Sequence, residues 1–580
     1  MKGSRRMVNA EIAMLFNEIG DFLELKGENA FRVRAYRRAA QALEGLAEDL
    51  TAVAARGELL AIPGIGKDLA AKITEYLARR SIEYLEDLRR EIPAGVIELI
   101  GVHGVGPKTA KLLYERAGVD SVEKLEELAR DHKLAGIPGI QAKTEENILR
   151  GIAVWRSGRE RTPIGTALGL AEAIVQQLRD RAPVDEIALA GSVRRMKETV
   201  KDVDILVTSR EPARIMEAFI GLPVVVDVLV RGETKSSVRL RRNLQVDLRV
   251  VQPESFGAAL QYFTGAKQHN IRLREIAQRR NLKINEYGVF QEDGTRLGGA
   301  TEEEVYGAVG LPWIPPELRE DAGEIEAAAA GCLPQLIATE NIQGDLQLHS
   351  TWSDGALSVA DLADAVRAQG YRYMAVTDHS QSTAIAGGMG PVKFMAMVAE
   401  VRQLQQRLTD FHIFVGCEVD IRADGSLDYE DELLRQLDLV QVSIHSGFKM
   451  SRDEMTARIV RGVRHPLVHI LGHPTGRVIG QRAPYDVDLE TVFQAARESG
   501  AAMEINASPA RLDLPDVSAR RAKDLGIPLT ISTDAHVATE LPYMRYGVAV
   551  ARRAWVGAPD VLNTRPLRDL KSWLERKRGR

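Results

Sequence analysis

Gly191-Ser-Val-Arg-Arg-Met-Lys-Glu-Thr-Val-Lys-Asp-Val-Asp204 is the stretch on which the reading of the chain turns. An apolar run, Ile187 to Ala190, enters it and another, Val203 to Val207, leaves it. The pattern predicts a strand, a Gly-Ser turn, a short helical or looped excursion and a second strand. Strand side chains alternate between faces, so Asp202 and Asp204 share one face. Adjacent carboxylates repel, and the arrangement is best explained by a shared hard cation such as Mg2+. Asp247, in the alternating run Leu244 to Val251, supplies a third acid for a two-metal site of in-line phosphoryl displacement. Gly191 lets the backbone approach a triphosphate, Ser192 offers it a hydroxyl, and Arg195 neutralises its charge. A bare Asp-x-Asp is more often an exposed acidic strand edge. The Gly-Ser turn and the later strand aspartate shift the balance toward catalysis.

Outward from this stretch, the 580 residues suggest about four domains. With 77 basic and 81 acidic side chains the net charge is −4, so any nucleic-acid surface must be local. Cys332 and Cys417 cannot form a disulfide framework, which suggests a reducing compartment. No apolar run reaches about 18 residues, and the start leads into an amphipathic helix, so a cytoplasmic protein without a membrane segment is expected.

From residue 8 to about 155 the periodicity is helical, and a glycine-rich pattern recurs three times. The copies are Ile62-Pro-Gly-Ile-Gly-Lys67, Val102-His-Gly-Val-Gly-Pro-Lys108 and Ile137-Pro-Gly-Ile-Gln-Ala-Lys143, each before a helix. Such turns expose backbone N–H groups at a helix start, where a phosphate is favoured. The pattern resembles the helix-hairpin-helix motif, which grips the DNA backbone without reading sequence. The DNA-contacting residues are expected to be Gly64, Gly66, Lys67, Gly104, Gly106 and Lys108. Gln141 replaces the second glycine of the third copy, which suits a packing hairpin.

The Gly-Ser and aspartate pattern resembles the nucleotidyltransferase superfamily, and the residues that follow narrow the resemblance to the family X DNA polymerases. Gln261-Tyr-Phe-Thr-Gly-Ala-Lys267, read as a break before a helix, resembles the Tyr-Phe-Thr-Gly segment of that family. The resemblance implies that Tyr262 and Phe263, with Gly265, lie against the incoming sugar. It also places Asn270 near the incoming base and Arg274 on the template strand. Leu282 to Gly288 then reads as an alternating thumb strand. Family members can carry a 5'-deoxyribose phosphate lyase, and Lys72 matches its Schiff-base lysine. Asp68, however, stands where a phosphate-binding lysine is expected, which favours a solvated or phosphate-contacting role for Lys72.

An acidic, alanine-rich helix, Glu317 to Ala330, leads to a change of character near residue 340. Beyond it, apolar runs end in polar, metal-ligating residue types: His349, Asp378-His379, Glu418, His445, His469 to His473, Asn506 and Asp534 to His536. This repetition predicts a parallel β/α barrel with its site at the strand C-termini. The mixture of imidazole and carboxylate suits Mn2+, Zn2+ or Fe2+. The segment resembles the polymerase and histidinol phosphatase (PHP) domain, a trinuclear phosphoesterase barrel. The resemblance implies up to three such ions, held by His349, Asp354, His379, Glu418, His445, His473, Asp534 and His536. The family's opening His-x-His reads Gln347-Leu-His349 here, leaving Gln347 as a weaker amide donor.

The expected fold is multidomain: an all-α helix-hairpin-helix N-terminal region, an α+β nucleotidyltransferase palm and thumb, and a C-terminal (β/α)7-type PHP barrel. The expected boundaries are 1–85 for a lyase-like DNA-end-binding domain, 86–155 for a fingers-type domain and 156–255 for the palm. A thumb-type domain follows at 256–318, a linker at 319–340 and the PHP domain at 341–580. The resemblance implies a DNA-directed DNA polymerase that fills short gaps in DNA repair, using dNTPs and two Mg2+ or Mn2+ ions at Asp202, Asp204 and Asp247. It implies a metal-dependent 3'-5' exonuclease or abasic-site nuclease in the PHP half. A DNA ligase and other repair proteins are the expected partners of a nucleoid-associated monomer. Two rival readings are a PHP half reduced to a structural or regulatory module by Gln347, and a nuclease-led repair protein whose palm mainly positions DNA.

Overall fold

The computed structural model describes residues 6–577, apart from 45–49, 63, 103–104, 135, 138–139, 141 and 241–242. The chain forms two compact units, the first mainly up to Ser157 and the second mainly from Gly158 onward.

Among its described residues the first unit is helical. Helices Arg6–Lys26 and Ala30–Glu44 bury Ile12, Phe16, Ile19, Leu23 and Tyr36 in one apolar cluster. A second cluster gathers Val96, Leu99, Leu113, Leu125 and Ile148. The three glycine-rich turns share one local architecture. In each, a buried aliphatic N–H bonds back three residues: Ile65 to Ile62 at 3.1 Å, Val105 to Val102 at 2.9 Å and Ile140 to Ile137 at 2.9 Å. The paired aliphatics anchor the turns in the core, and the described glycines Gly64, Gly66 and Gly106 are exposed.

The second unit begins with a five-stranded sheet in the order Glu186–Leu189, Asp202–Thr208, Gln245–Val250, Lys235–Leu240 and Val225–Arg231. The second and third strands are parallel and the other pairings antiparallel. Alternate residues Val203, Ile205 and Val207 face the helices Ile164–Arg181 and Pro212–Ile220, which leaves the aspartates on the other face. A smaller layer follows, with helices Phe256–Thr264, Lys267–Gln278 and Glu302–Ala308 on a three-stranded antiparallel sheet.

Three local expectations are corrected here. Tyr262 and Phe263 lie within the helix Phe256–Thr264, and the break comes only at Gly265. Leu282 to Gly288 is not one strand: it turns after Asn285, whose side chain accepts the N–H groups of Tyr287 and Gly288. The helix expected over Glu317 to Ala330 is confined to Glu324–Ala329. Before it lie a 3-10 turn at Pro316–Leu318 and an irregular stretch, and buried pairs hold both the stretch and the helix start. Arg319, wholly buried, meets Glu302 at 2.5 Å, and Glu324 meets His269 at 2.6 Å. The start of the expected linker 319–340 is thus packed into the thumb core, which also buries Ile325 and Ala328.

The C-terminal part is a parallel seven-stranded sheet whose strands follow sequence order, Gly344–Leu348, Tyr373–Val376, His412–Asp420, Leu439–Ser443, Ile470–Leu471, Ala502–Asn506 and Leu529–Ser532. A bridge between Leu348 and Ala535 brings the last strand back to the first. The strands are fully buried on both faces, as helices covering a parallel barrel require. Palm and barrel share one apolar cluster, which runs from Ile164 and Val203 to Val442 and Ile531.

Candidate active sites

The palm site is built by register. The parallel pairing puts Asp204 directly beside Asp247, and alternation puts Asp202 on the same face. Burial first, then the charges of Asp202 and Asp247, push the Asp204 carboxyl up to about 7. Carboxylates gathered at such a cost suit a hard divalent cation, which would reverse the repulsion. Gly191 sits at φ +65°, and a Cβ there would lie 2.4 Å from Asp204 Oδ2. The turn therefore needs glycine, both for its conformation and for its approach to the acid.

Arg195 is held rather than free. Its Nε lies 2.8 Å from Glu320 and one terminal nitrogen donates to the Thr264 carbonyl at 2.6 Å. Phe263 has the Arg249 guanidinium over its face at 4.5 Å and Tyr262 against it edge-on at 5.2 Å. Asn270 donates to the Tyr262 and Gly265 carbonyls at 2.7 and 3.1 Å, so it braces the break between the two helices. A Cβ at Gly265 would meet Asn270 Oδ1 at 2.2 Å. Arg274 lies one turn beyond Asn270 on the same helix.

In the first unit Gly66 and Gly106 precede the helices Lys67–Arg79 and Pro107–Ala117, and a Cβ at either would enter open space. Gly64 takes a positive φ of +82° in the same kind of turn, and Lys67 and Lys108 are exposed. Gly104 and Gln141 lie outside the described residues. The Lys72 ammonium is 2.6 Å from Asp68 and 5.2 Å from the centre of the Tyr84 ring.

In the barrel, all eight sequence-predicted ligands converge. Asp354 has His349, His379 and His536 around it at 3.7, 3.6 and 3.4 Å. Glu418 meets His379 at 3.1 Å, His445 at 3.4 Å and His473 at 2.7 Å, and His349 lies 3.0 Å from Asp534. One ligand atom each from His349, Asp354, His379 and His536 fall within 4.8 Å of one another, as do those of His379, Glu418 and His445. Both nitrogens of His349, Nδ1 of His379 and of His473, and Oε2 of Glu418 are buried without a hydrogen bond. Donor atoms aimed at one another without bonding geometry fit metal ions at their centre. Burial disfavours the imidazolium of His445 and His536, but neighbouring carboxylates outweigh it and hold both near about 10. His473 and Asp534 adopt positive φ values, 25° and 56°, a strain tolerated where side chains must be aimed.

One expectation for this site is corrected. Gln347 is not turned to the ligand group: its amide nitrogen faces the buried Glu504 carboxylate and its oxygen accepts from Gln441. His469, which opens the run that His473 closes, stands just before the strand Ile470–Leu471 and lies 3.2 Å from the Leu574 carbonyl. Sequence reasoning also passed over supporting residues. Asp420 holds His445 Nδ1 at 2.8 Å, and Asp378 accepts from the Ser350 and Ser353 N–H groups at 2.9 Å. Asp420 was findable, being two residues beyond Glu418 and so on the same strand face. Arg194 was not: it pairs in a fork with Glu302, 108 residues away.

Known families match in the same order along the chain. A helix-hairpin-helix domain matches residues 7–82, a SAM-like helix-hairpin-helix tandem 96–153, the DNA polymerase beta thumb 259–320 and the PHP domain 345–508. A probable phosphatase of Thermoanaerobacter sp. (strain X514) is 26% identical over 40% of this chain and 95% of its own length. Another, of Shewanella oneidensis, is 31% identical over 34% of this chain and 77% of its own length. The DNA polymerase/3'-5' exonuclease PolX of Bacillus subtilis (strain 168) is 39% identical over 98% of this chain and all of its own length. With that likeness running through palm, thumb and barrel alike, the chain belongs to the family X DNA polymerases that carry a PHP domain.

Proposed function

We propose that the protein fills short gaps in DNA with its palm and trims 3' ends with its barrel. The observation that carries the reading is the pairing of two separate acidic centres: Asp202, Asp204 and Asp247 in the palm, and the Asp354, Glu418 and Asp534 group with its imidazoles in the barrel. Asp202, Asp204 and Asp247 would together hold two Mg2+ or Mn2+ ions. The barrel residues would hold Mn2+, Zn2+ or Fe2+. Such ions, when bound, supply Lewis acidity toward the reacting phosphate. Ser192 and the uncommitted terminal nitrogen of Arg195 receive the triphosphate, and Gly191 admits it close to the backbone. Tyr262 and Phe263 form a rigid edge for the sugar, and Asn270 keeps that edge in place. Alignment and charge complementarity provide most of the rate. Gly64, Gly66, Lys67, Gly106 and Lys108 grip phosphates on either side of the gap. Lys72, already paired with Asp68, contacts phosphate and forms no Schiff base. In the barrel His379 and Glu418 would help hold the metal ions, with His445 kept in orientation by Asp420. The product of gap filling is a nick, so a DNA ligase is the natural consumer, with the nucleoid as the place of action.

The test uses gapped DNA with a 5'-labelled primer and Mn2+, with and without dNTPs, for the wild type and His379→Ala. Shortening without dNTPs that is lost in His379→Ala, while extension with dNTPs persists, is the expected result. Shortening that survives the substitution would remove the barrel from the exonuclease role.

A further inference from the structure

Outside the two acidic centres, a largely buried cluster of charges lies where the barrel meets the palm. Glu320 Oε1 is the hub: Arg195 Nε is 2.8 Å from it, Arg553 3.1 Å and Lys197 3.8 Å. Arg553 ends the barrel helix Met544–Arg553, and its side chain is 4% exposed. It also donates to the Arg195 carbonyl at 3.1 Å and to Asp516 at 2.5 Å. Its Nε is buried without a hydrogen bond.

An interface held for stability alone gains little from such a group, since apolar contact would serve as well at lower desolvation cost. The cluster also carries more positive than negative charge, with Arg195, Lys197 and Arg553 set against Glu320 and Asp516. That excess sits beside Gly191 and Ser192, where a polyanion is expected. Glu320 and the Thr264 carbonyl fix two nitrogens of Arg195, so the plane of its guanidinium is set before any ligand arrives. Arg553 in turn grips both the carboxylate that does this and the backbone of Arg195.

We propose that Arg553, acting through Glu320, is a positioning residue for Arg195, so that the PHP barrel sets the geometry of the polymerase's triphosphate site. The inference rests on the reading of Arg195 as the triphosphate ligand. Pre-organisation of this kind lowers the ordering cost of binding, so its loss weakens dNTP binding more than turnover.

The test measures KM for dNTP and kcat on gapped DNA for Arg195→Ala, Arg553→Ala, Glu320→Gln and the double variant Arg195→Ala/Arg553→Ala. Arg553→Ala is expected to raise KM about fivefold, the scale of one lost ordinary hydrogen bond, with kcat within about twofold. The double variant should be no worse than Arg195→Ala, since the relay then has no receiver. Unchanged 3'-end shortening shows that the barrel remains folded, and if Arg553→Ala fails to fold, the near-isosteric Glu320→Gln reads the same KM. An equal KM penalty with and without Arg195 would mark Arg553 as merely structural and overturn the proposal. So would an unchanged KM in Arg553→Ala or Glu320→Gln when Arg195→Ala raises it. If Arg195→Ala itself leaves KM unmoved, the triphosphate role of Arg195 fails first and the proposal falls with it.

Discussion

Asp204 shows how one side chain serves two demands. It must be buried enough to hold an ion rigidly, and burial together with Asp202 and Asp247 makes its charge costly when no ion is present. Removing the carboxylate removes a ligand that no neighbour can replace. Asp204→Ala is therefore expected to depress nucleotide addition on the order of a thousandfold, the scale of losing a pre-set electrostatic partner, while 3'-end shortening continues. Primer extension and shortening assays on one sample decide it, and loss of both activities together would mean that they share a site. Residue-level chemistry was the most legible part of this chain: alternation named the three palm aspartates, strand ends pointed to a metal cluster, and resemblance to the PHP domain picked out its eight ligands. Gln347 marks the limit. That an amide replaces an imidazole is plain in the sequence, but its turn toward Glu504 depends on a strand more than 150 residues away.

At the scale of elements, Glu302 is the residue that clamps the thumb. It accepts a fork from Arg194, a second from Arg319 and the indole N–H of Trp313. Burial opposes its ionisation, yet Arg194 and Arg319 outweigh it and bring the carboxyl down to about 2 from an unfolded value of 4.5. A depressed carboxylate stabilises the fold above its unfolded pKa and loses that contribution as pH falls toward its folded pKa. The shift corresponds to about 3 kcal/mol. Glu302→Gln should lower stability to urea at pH 7 by roughly that amount. The gap to wild type should narrow below about pH 4.5 and close toward pH 2, and a gap independent of pH would contradict the assignment. Elements were legible where one period ran long enough. The thumb strand was misread because Asn285 ends it through its own side chain, and the linker helix because Arg319 is drawn into the core by a distant partner.

Across the whole second unit, palm and barrel are joined as one body. Arg477 forks onto Glu198 at 2.6 Å and 3.1 Å across 279 residues, Arg552 meets Glu317 at 2.7 Å, and Arg545 meets Glu172 at 3.0 Å. At Gly165 a Cβ would lie 2.5 Å from Pro509, so the palm's first long helix packs tightly against the barrel there. Gly165→Val should cost roughly 1–3 kcal/mol by overpacking. Polymerase and exonuclease should then be lost together in thermal inactivation, whereas two separate losses would show that the halves unfold independently. The sequence by itself determined the helical hairpins, the barrel and the palm's acidic face, because periodicity, glycine turns and strand-end chemistry are written over a few neighbouring residues, and its motifs carried the resemblance that named the domain types and the candidate barrel ligands. Only the tertiary structure decided what Gln347 bonds to, what holds Arg194 and Arg195, and how the barrel grips the palm. Those choices arise from charges and surfaces hundreds of residues apart, whose pairing exists only once the chain has closed on itself.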